Sequence, residues 1–113
     1  MINVEIKKIN NEIISVLLEG DVDVYTSVSL KKELNNIIEQ GNDKILIDLG
    51  KTTYMDSSGL GVLVAILKLL KKNNGQMKIV ELTPTIKKVF ELTRLSNFFD
   101  IYDTEEDALK NFE

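Results

Sequence analysis

Tyr54-Met55-Asp56-Ser57-Ser58-Gly59-Leu60-Gly61 sets one carboxylate, two hydroxyls and two glycines between an apolar strand pattern and an apolar helix pattern. Residues of these types at a strand-to-helix turn offer a hydroxyl for modification or capping and a fixed negative charge. They also offer a backbone that another molecule can approach closely. Capping alone accounts for one of the serines, and Ser58 is the expected cap because the apolar run begins just after it. Gly59 and Gly61 then permit close packing or a strained turn. Hydrolytic chemistry fits poorly: Met55 stands where a G-x-S-x-G elbow needs its first glycine, and without histidine no Ser-His-Asp triad can form. A nucleotide hydrolase using Asp56 with Mg²⁺ is disfavoured too, for want of a P-loop, a full G-x-G-x-x-G or a second convergent acid.

A second group of polar residues lies at Gly20-Asp21-Val22-Asp23, where the aspartates alternate with Val22 and Val24 at the end of a strand pattern. Alternation puts Asp21 and Asp23 on one exposed edge. Either Asp23 orients the Ser57 hydroxyl, or the two solubilise the strand end and cap the next helix. Lys87 and Lys88 read as a solvated helix face, and the charges from Asp103 to Asp107 as helix-start acid rather than a metal site.

Composition closes off much ordinary enzymology. The chain has 113 residues, 43% of them apolar, which suits one compact domain spanning residues 1–113. It has no cysteine and no histidine, which removes thiolate nucleophiles, Cys/His zinc sites, disulfides, imidazole bases and phosphohistidine. A net charge of −4 argues against nucleic acid as a direct partner. The N-terminal Met1-Ile2-Asn3-Val4-Glu5-Ile6-Lys7-Lys8 carries charges where a signal peptide needs an apolar region, so a cytoplasmic location is expected. The longest apolar run, Leu60 to Leu67, falls far short of the roughly 20 residues that span a bilayer. It reads as a core helix, and no membrane insertion is expected.

The elements that must position these residues are legible from periodicity. Val4-Glu5-Ile6 and Ile13 to Leu18 predict a hairpin around Asn10-Asn11. Leu30, Leu34, Ile37 and Ile38 recur at helical spacing, with Thr26 or Ser27 as the cap and Gly41 as the stop. Ile45 to Leu49 predicts a buried central strand, and the apolar helix that follows the serine turn, from Leu60 to Leu70, closes at Lys71-Lys72-Asn73-Asn74-Gly75. Met77 to Val80 is another strand. Thr83-Pro84 opens a helix that buries Ile86, Val89, Phe90 and Leu92. Phe98 to Tyr102 gives a short edge strand. Thr104-x-x-Asp107 has capping-box spacing for a terminal helix that docks Ala108, Leu109 and Phe112. Strands alternating with helices predict an α/β fold: a mixed sheet of four to five strands with about four helices mainly on one side.

Three stretches taken together resemble a known family. Gly20-Asp21-Val22-Asp23, Met55-Asp56-Ser57-Ser58-Gly59-Leu60-Gly61 and Thr83-Pro84-Thr85-Ile86-Lys87-Lys88-Val89-Phe90 resemble, in this order, the motifs of the stand-alone STAS-domain anti-sigma factor antagonists of bacteria. The resemblance covers about Val4 to Leu109, and the middle motif is the specific one. It implies a single STAS domain in which Ser57 is phosphorylated by a partner kinase, with Asp21, Asp23, Asp56, Ser57, Ser58 and Gly59 on the partner-binding surface. It also implies that the unphosphorylated form binds an anti-sigma factor with serine kinase activity and so releases a sigma factor. A separate serine phosphatase would reset the switch. The chain itself would be no enzyme and hold no cofactor, since Mg-ATP would belong to the kinase. The same resemblance admits a second class of function, a constitutive STAS adaptor subunit of a larger complex such as one for lipid transport, in which the turn matters by shape alone.

Overall fold

A computed structural model describes residues 2–113. Its first unit is the hairpin Ile2–Ile9 (β1) and Ile13–Val22 (β2), longer at both ends than periodicity marks. Asn10 and Asn11 adopt φ of 54° and 59°, the left-handed region that asparagine tolerates better than most residues, and the Glu12 N–H closes the turn on the Ile9 carbonyl.

Four helices and four further strands follow. Thr26–Glu39 (α1) leads to Lys44–Asp48 (β3), Thr52–Met55 (β4) and Ser57–Lys72 (α2). Gln76–Val80 (β5), Pro84–Leu92 (α3), Asp100–Tyr102 (β6) and Glu105–Leu109 (α4) complete the chain. The sheet therefore has six strands rather than four or five, in the order β1-β2-β3-β5-β6, with β4 also paired to β2. Only β1 and β2 are antiparallel.

The additional strand is β4. β3 lies parallel to Ile14–Leu17 of β2, and β4 lies parallel to the upper part of that strand, from Gly20 to Val22. The chain thus runs up one lane beside β2 and breaks only at a tight turn, where the Thr52 N–H bonds the Leu49 carbonyl and the Asp48 carboxylate accepts the Gly50 N–H. Gly50-Lys51 looks like the end of a strand in sequence. The pairing resumes because the buried Thr52 hydroxyl donates to the Leu18 carbonyl, a contact 34 residues away in the chain.

The main core lies between the sheet and three helices. Val16, Leu18, Ile45, Ile47, Leu49 and Ile79 face Leu30, Leu34, Leu63, Ile66, Leu70, Ile86 and Phe90, all essentially inaccessible to solvent. Burying each such side chain contributes about 1.5 to 3 kcal/mol. On the opposite face α4, with Phe112 after it, covers Ile13, Leu46 and Val80. Two expectations for α3 separate: Ile86 and Phe90 are buried and Val89 packs against the core, but Leu92, the last residue of the helix, is 74% exposed, because two residues past Phe90 it projects about 200° round the helix from it. Thr83 and Thr104 cap as their spacing predicts, accepting the N–H groups of Ile86 and Asp107.

Candidate functional site

The C-terminal ends of β2 and β4 lie side by side, with Val22 opposite Met55 and Asp21 opposite Tyr54. The residues after them, Asp23 and Asp56, therefore leave the sheet together, and the Asp56 N–H still bonds the Val22 carbonyl at 3.2 Å. Parallel pairing thus brings Gly20 to Asp23 next to Asp56 to Gly59, as the sequence could suggest but not establish. A register shift between Gly20 and Asp21, with Gly20 at φ 108°, bends β2 at this point.

Asp56, rather than Ser58, caps α2. Its backbone is extended, its carboxylate accepts the Ser58 N–H at 2.9 Å, and its carbonyl begins the helix ladder by accepting from Leu60. Ser57 and Ser58 are consequently the first two residues of the helix. Ser58 is half-buried, whereas Ser57 is exposed, and its hydroxyl is left out of the cap. A carboxylate at this place also complements the helix dipole.

Gly59 is buried, and its place is dictated by packing. A Cβ there would come within 2.6 Å of Val22 Cγ1 and 2.9 Å of Met55 Cγ, so only glycine lets α2 seat on the two strand ends. Gly61 has open space around it, so close packing, expected for both glycines, applies to Gly59 alone.

The two aspartates of β2 are engaged locally. Asp23 Oδ1 accepts the N–H groups of Tyr25 at 2.9 Å and Thr26 at 3.0 Å, while the Asp23 N–H donates to Thr26 Oγ1. This reciprocal arrangement caps α1 from one turn before it, where Thr26 or Ser27 was expected to do so; Tyr25 occupies the cap position without a side-chain bond. The Thr26 hydroxyl has one proton for two acceptors, the Asp21 carbonyl at 2.8 Å and Asp23 Oδ1 at 3.2 Å. The backbone N–H of Thr26, above all, holds the Asp23 carboxyl below its ordinary value, with Tyr25 and the Thr26 hydroxyl adding to it against a smaller opposing effect of burial. Asp23 is therefore turned toward α1 rather than toward Ser57. Asp21, exposed, accepts from Thr53 Oγ1 at 2.6 Å.

The sequence profile of the STAS domain matches residues 4–108. An anti-sigma-B factor antagonist of Bacillus subtilis is 37% identical over 109 residues, which cover 96% of this chain and 98% of that protein. The chain belongs to the STAS-domain anti-sigma factor antagonists. Among solved structures of this family, an anti-sigma factor antagonist from Mycobacterium paratuberculosis superposes with a TM-score of 0.90 at 25% identity, covering 99% of this chain and 94% of that one. SpoIIAA of Bacillus, solved in its phosphorylated form, shares the fold at a TM-score of 0.74 and 24% identity, covering 96% and 97% of the two chains.

In this STAS domain the polar turn is bordered by apolar side chains that the motifs do not flag. Val24, Tyr25 and Val28 at the start of α1 and Tyr54 on β4 are exposed, Tyr25 at 86%. Val24 and Tyr25 follow the end of β2, Val28 lies on the first turn of α1 and Tyr54 sits opposite Asp21 on β4, so the four exposed side chains come from both segments that carry the polar turn. Among the described residues, no cluster of acidic side chains is placed to hold a metal ion, and no helix is long and apolar enough to cross a membrane.

Proposed function

We propose that this STAS domain works as a partner switch. Its unphosphorylated form docks through the Asp21–Asp23 and Asp56–Gly59 ends onto an anti-sigma factor that is also a serine kinase, and so frees a sigma factor. The observation that carries this reading is the placement of Ser57: exposed at the first residue of α2, with the capping duty taken by Asp56. In the transfer, Ser57 Oγ bonds to the γ-phosphorus of the kinase's Mg-ATP, the bond to the β-phosphate bridging oxygen breaks, and ADP leaves. The hydroxyl proton passes to a base of the kinase. The chain contributes the acceptor hydroxyl and its positioning, and catalyses nothing itself.

Phosphate would bring about −1.5 to −2 charges to a helix N-terminus, whose free N–H groups and dipole favour an anion. The fold is therefore expected to persist, as the phosphorylated Bacillus relative of the same fold suggests. The docked partner meets a different situation, a dianion beside the Asp56 carboxylate on a surface that had packed against a small hydroxyl. A penalty of about 3 kcal/mol, modest for like charges at an interface, weakens binding about a hundredfold. A serine phosphatase restores the hydroxyl.

Intact-mass spectrometry after incubation with Mg-ATP and the host's anti-sigma kinases tests the reading. Wild type and Ser58→Ala should each gain one phosphate, and Ser57→Ala none. A complex that persists in ATP, with no modification and unchanged affinity in Ser57→Asp, would overturn the switch in favour of a constitutive adaptor.

A further inference from the structure

β1 forms one edge of the sheet, hydrogen-bonded to β2 and to no other described strand. Its register with β2 is unbroken from Ile2 opposite Gly20 to Ile9 opposite Ile13. A regular edge of eight residues, with neither bulge nor proline, presents unpaired N–H and C=O groups as a template for another strand. Ile6, at its middle, is 48% exposed, and α1 leaves an open groove beside it along Ile2, Val4, Glu33 and Asn36. Glu5 and Lys7 flank Ile6 on the opposite sheet face, where they line a hollow with Ser15, Leu17, Asp48 and Glu105. Ion pairs among the described residues are Lys78–Asp100 and Lys110–Glu106, so neither Glu5 nor Lys7 is in a direct ion pair among them.

We propose that two copies of this chain associate through β1, edge to edge and antiparallel, about a twofold axis passing through Ile6. Two identical strands joined this way are related by an axis perpendicular to the sheet, which keeps every side chain on its own face. Only residues of the same parity can then lie opposite one another, and two registers share the greatest overlap. One, centred on Glu5, sets Glu5 against its own copy. The other, centred on Ile6, sets Glu5 opposite Lys7 twice, Ile6 against Ile6 and Val4 opposite Lys8. Charge decides between them, because like charges directly opposite are destabilising and opposite charges are favourable. The Ile6-centred register also covers the exposed Ile6 side chain with its copy. None of the residues around Ser57 lies on this edge, so the association stands apart from the phosphorylation switch and would present two Ser57 turns on one particle.

Sedimentation velocity of the whole chain, from about 10 µM to about 1 mM, reads the association directly. Wild type should shift from 12.8 kDa toward twice that mass. Glu5→Lys, and separately Lys7→Glu, should each weaken the dimer about tenfold or more, since two attractive pairs become repulsive. The double variant Glu5→Lys/Lys7→Glu should return to within about threefold of wild type, a rescue that general damage to the strand does not produce. Thermal melts of each variant identify any that fail to fold, and either single variant suffices alongside the double. Wild type remaining at 12.8 kDa throughout overturns the proposal, with Lys7 and Lys8 then acting as guards of the edge. So does a Glu5→Lys variant that dimerises as tightly as wild type, which would place the contact elsewhere.

Discussion

Ser57, Asp56, Asp23 and Gly59 sit within a few residues of one another or across one strand pair, yet each does separate work. Ser57 is the exposed hydroxyl proposed as the phosphate acceptor, and Ser57→Ala should leave the melting temperature nearly unchanged while abolishing phosphorylation. Asp56→Ala removes the α2 cap and should lower stability by about 1 kcal/mol, a fall of about 4 to 8 °C in melting temperature. Gly59→Ala forces a Cβ into Val22 and Met55 and should cost about 1 to 3 kcal/mol in a denaturant titration. Asp23 gives a pH signature. Its carboxyl is held below the ordinary 3.8, so its contribution is present above that value and is lost as pH falls through the lowered folded one. The gap in melting temperature between wild type and Asp23→Asn should therefore hold at neutral pH and shrink below pH 3.8. A gap constant down to pH 2 would mean the N–H groups of Thr26 and Tyr25 do not favour the charged form.

Among elements, helices were the more legible and the strands near the site the less. α2 announces itself by an apolar run that closes at lysines, and α3 by Thr83-Pro84, because these signals are local. β4 does not, since Thr52 to Met55 becomes a strand only by pairing with β2 across more than thirty residues of chain. The cap of α2 falls on Asp56 instead of Ser58 for a related reason. Asp and Ser are near-equal as caps, and only the extended backbone of Asp56 decides which carries the bond. β5 offers a contrast, because Lys78 in its middle is buried against Asp100 at 3.1 Å, with its ammonium over the rings of Tyr102 and Phe112. Asp100→Ala should nonetheless cost only about 1 kcal/mol, because the Asp100 side chain is 66% exposed and water screens the pair. Chemical denaturation of that variant checks it, and a loss several times larger would mean that the Lys78 charge depends on Asp100 alone.

For the whole molecule, the proposed switch works through surface charge and needs no change of fold. Ser57→Asp, as a partial stand-in for phosphate, should keep wild-type stability within about 0.5 kcal/mol while losing the partner, and calorimetry beside a binding titration separates the two. Local patterns along the chain suffice for the α/β class, the order of most elements, the absence of histidine and cysteine chemistry, and the serine turn at a helix start, because periodicity, punctuation and composition act over a few residues. They also carry the family likeness, since the three motifs stand in one order along the chain. It took the folded chain to show that Asp23 turns to α1, that Asp56 caps α2, that Gly59 is a packing residue, and that Tyr25 stays in solvent. Asp23 and Asp56 leave the sheet together, and Gly59 seats on Val22 and Met55, because β2 and β4 end side by side, and a pairing between distant segments is set by the closure of the whole core, which no local pattern encodes.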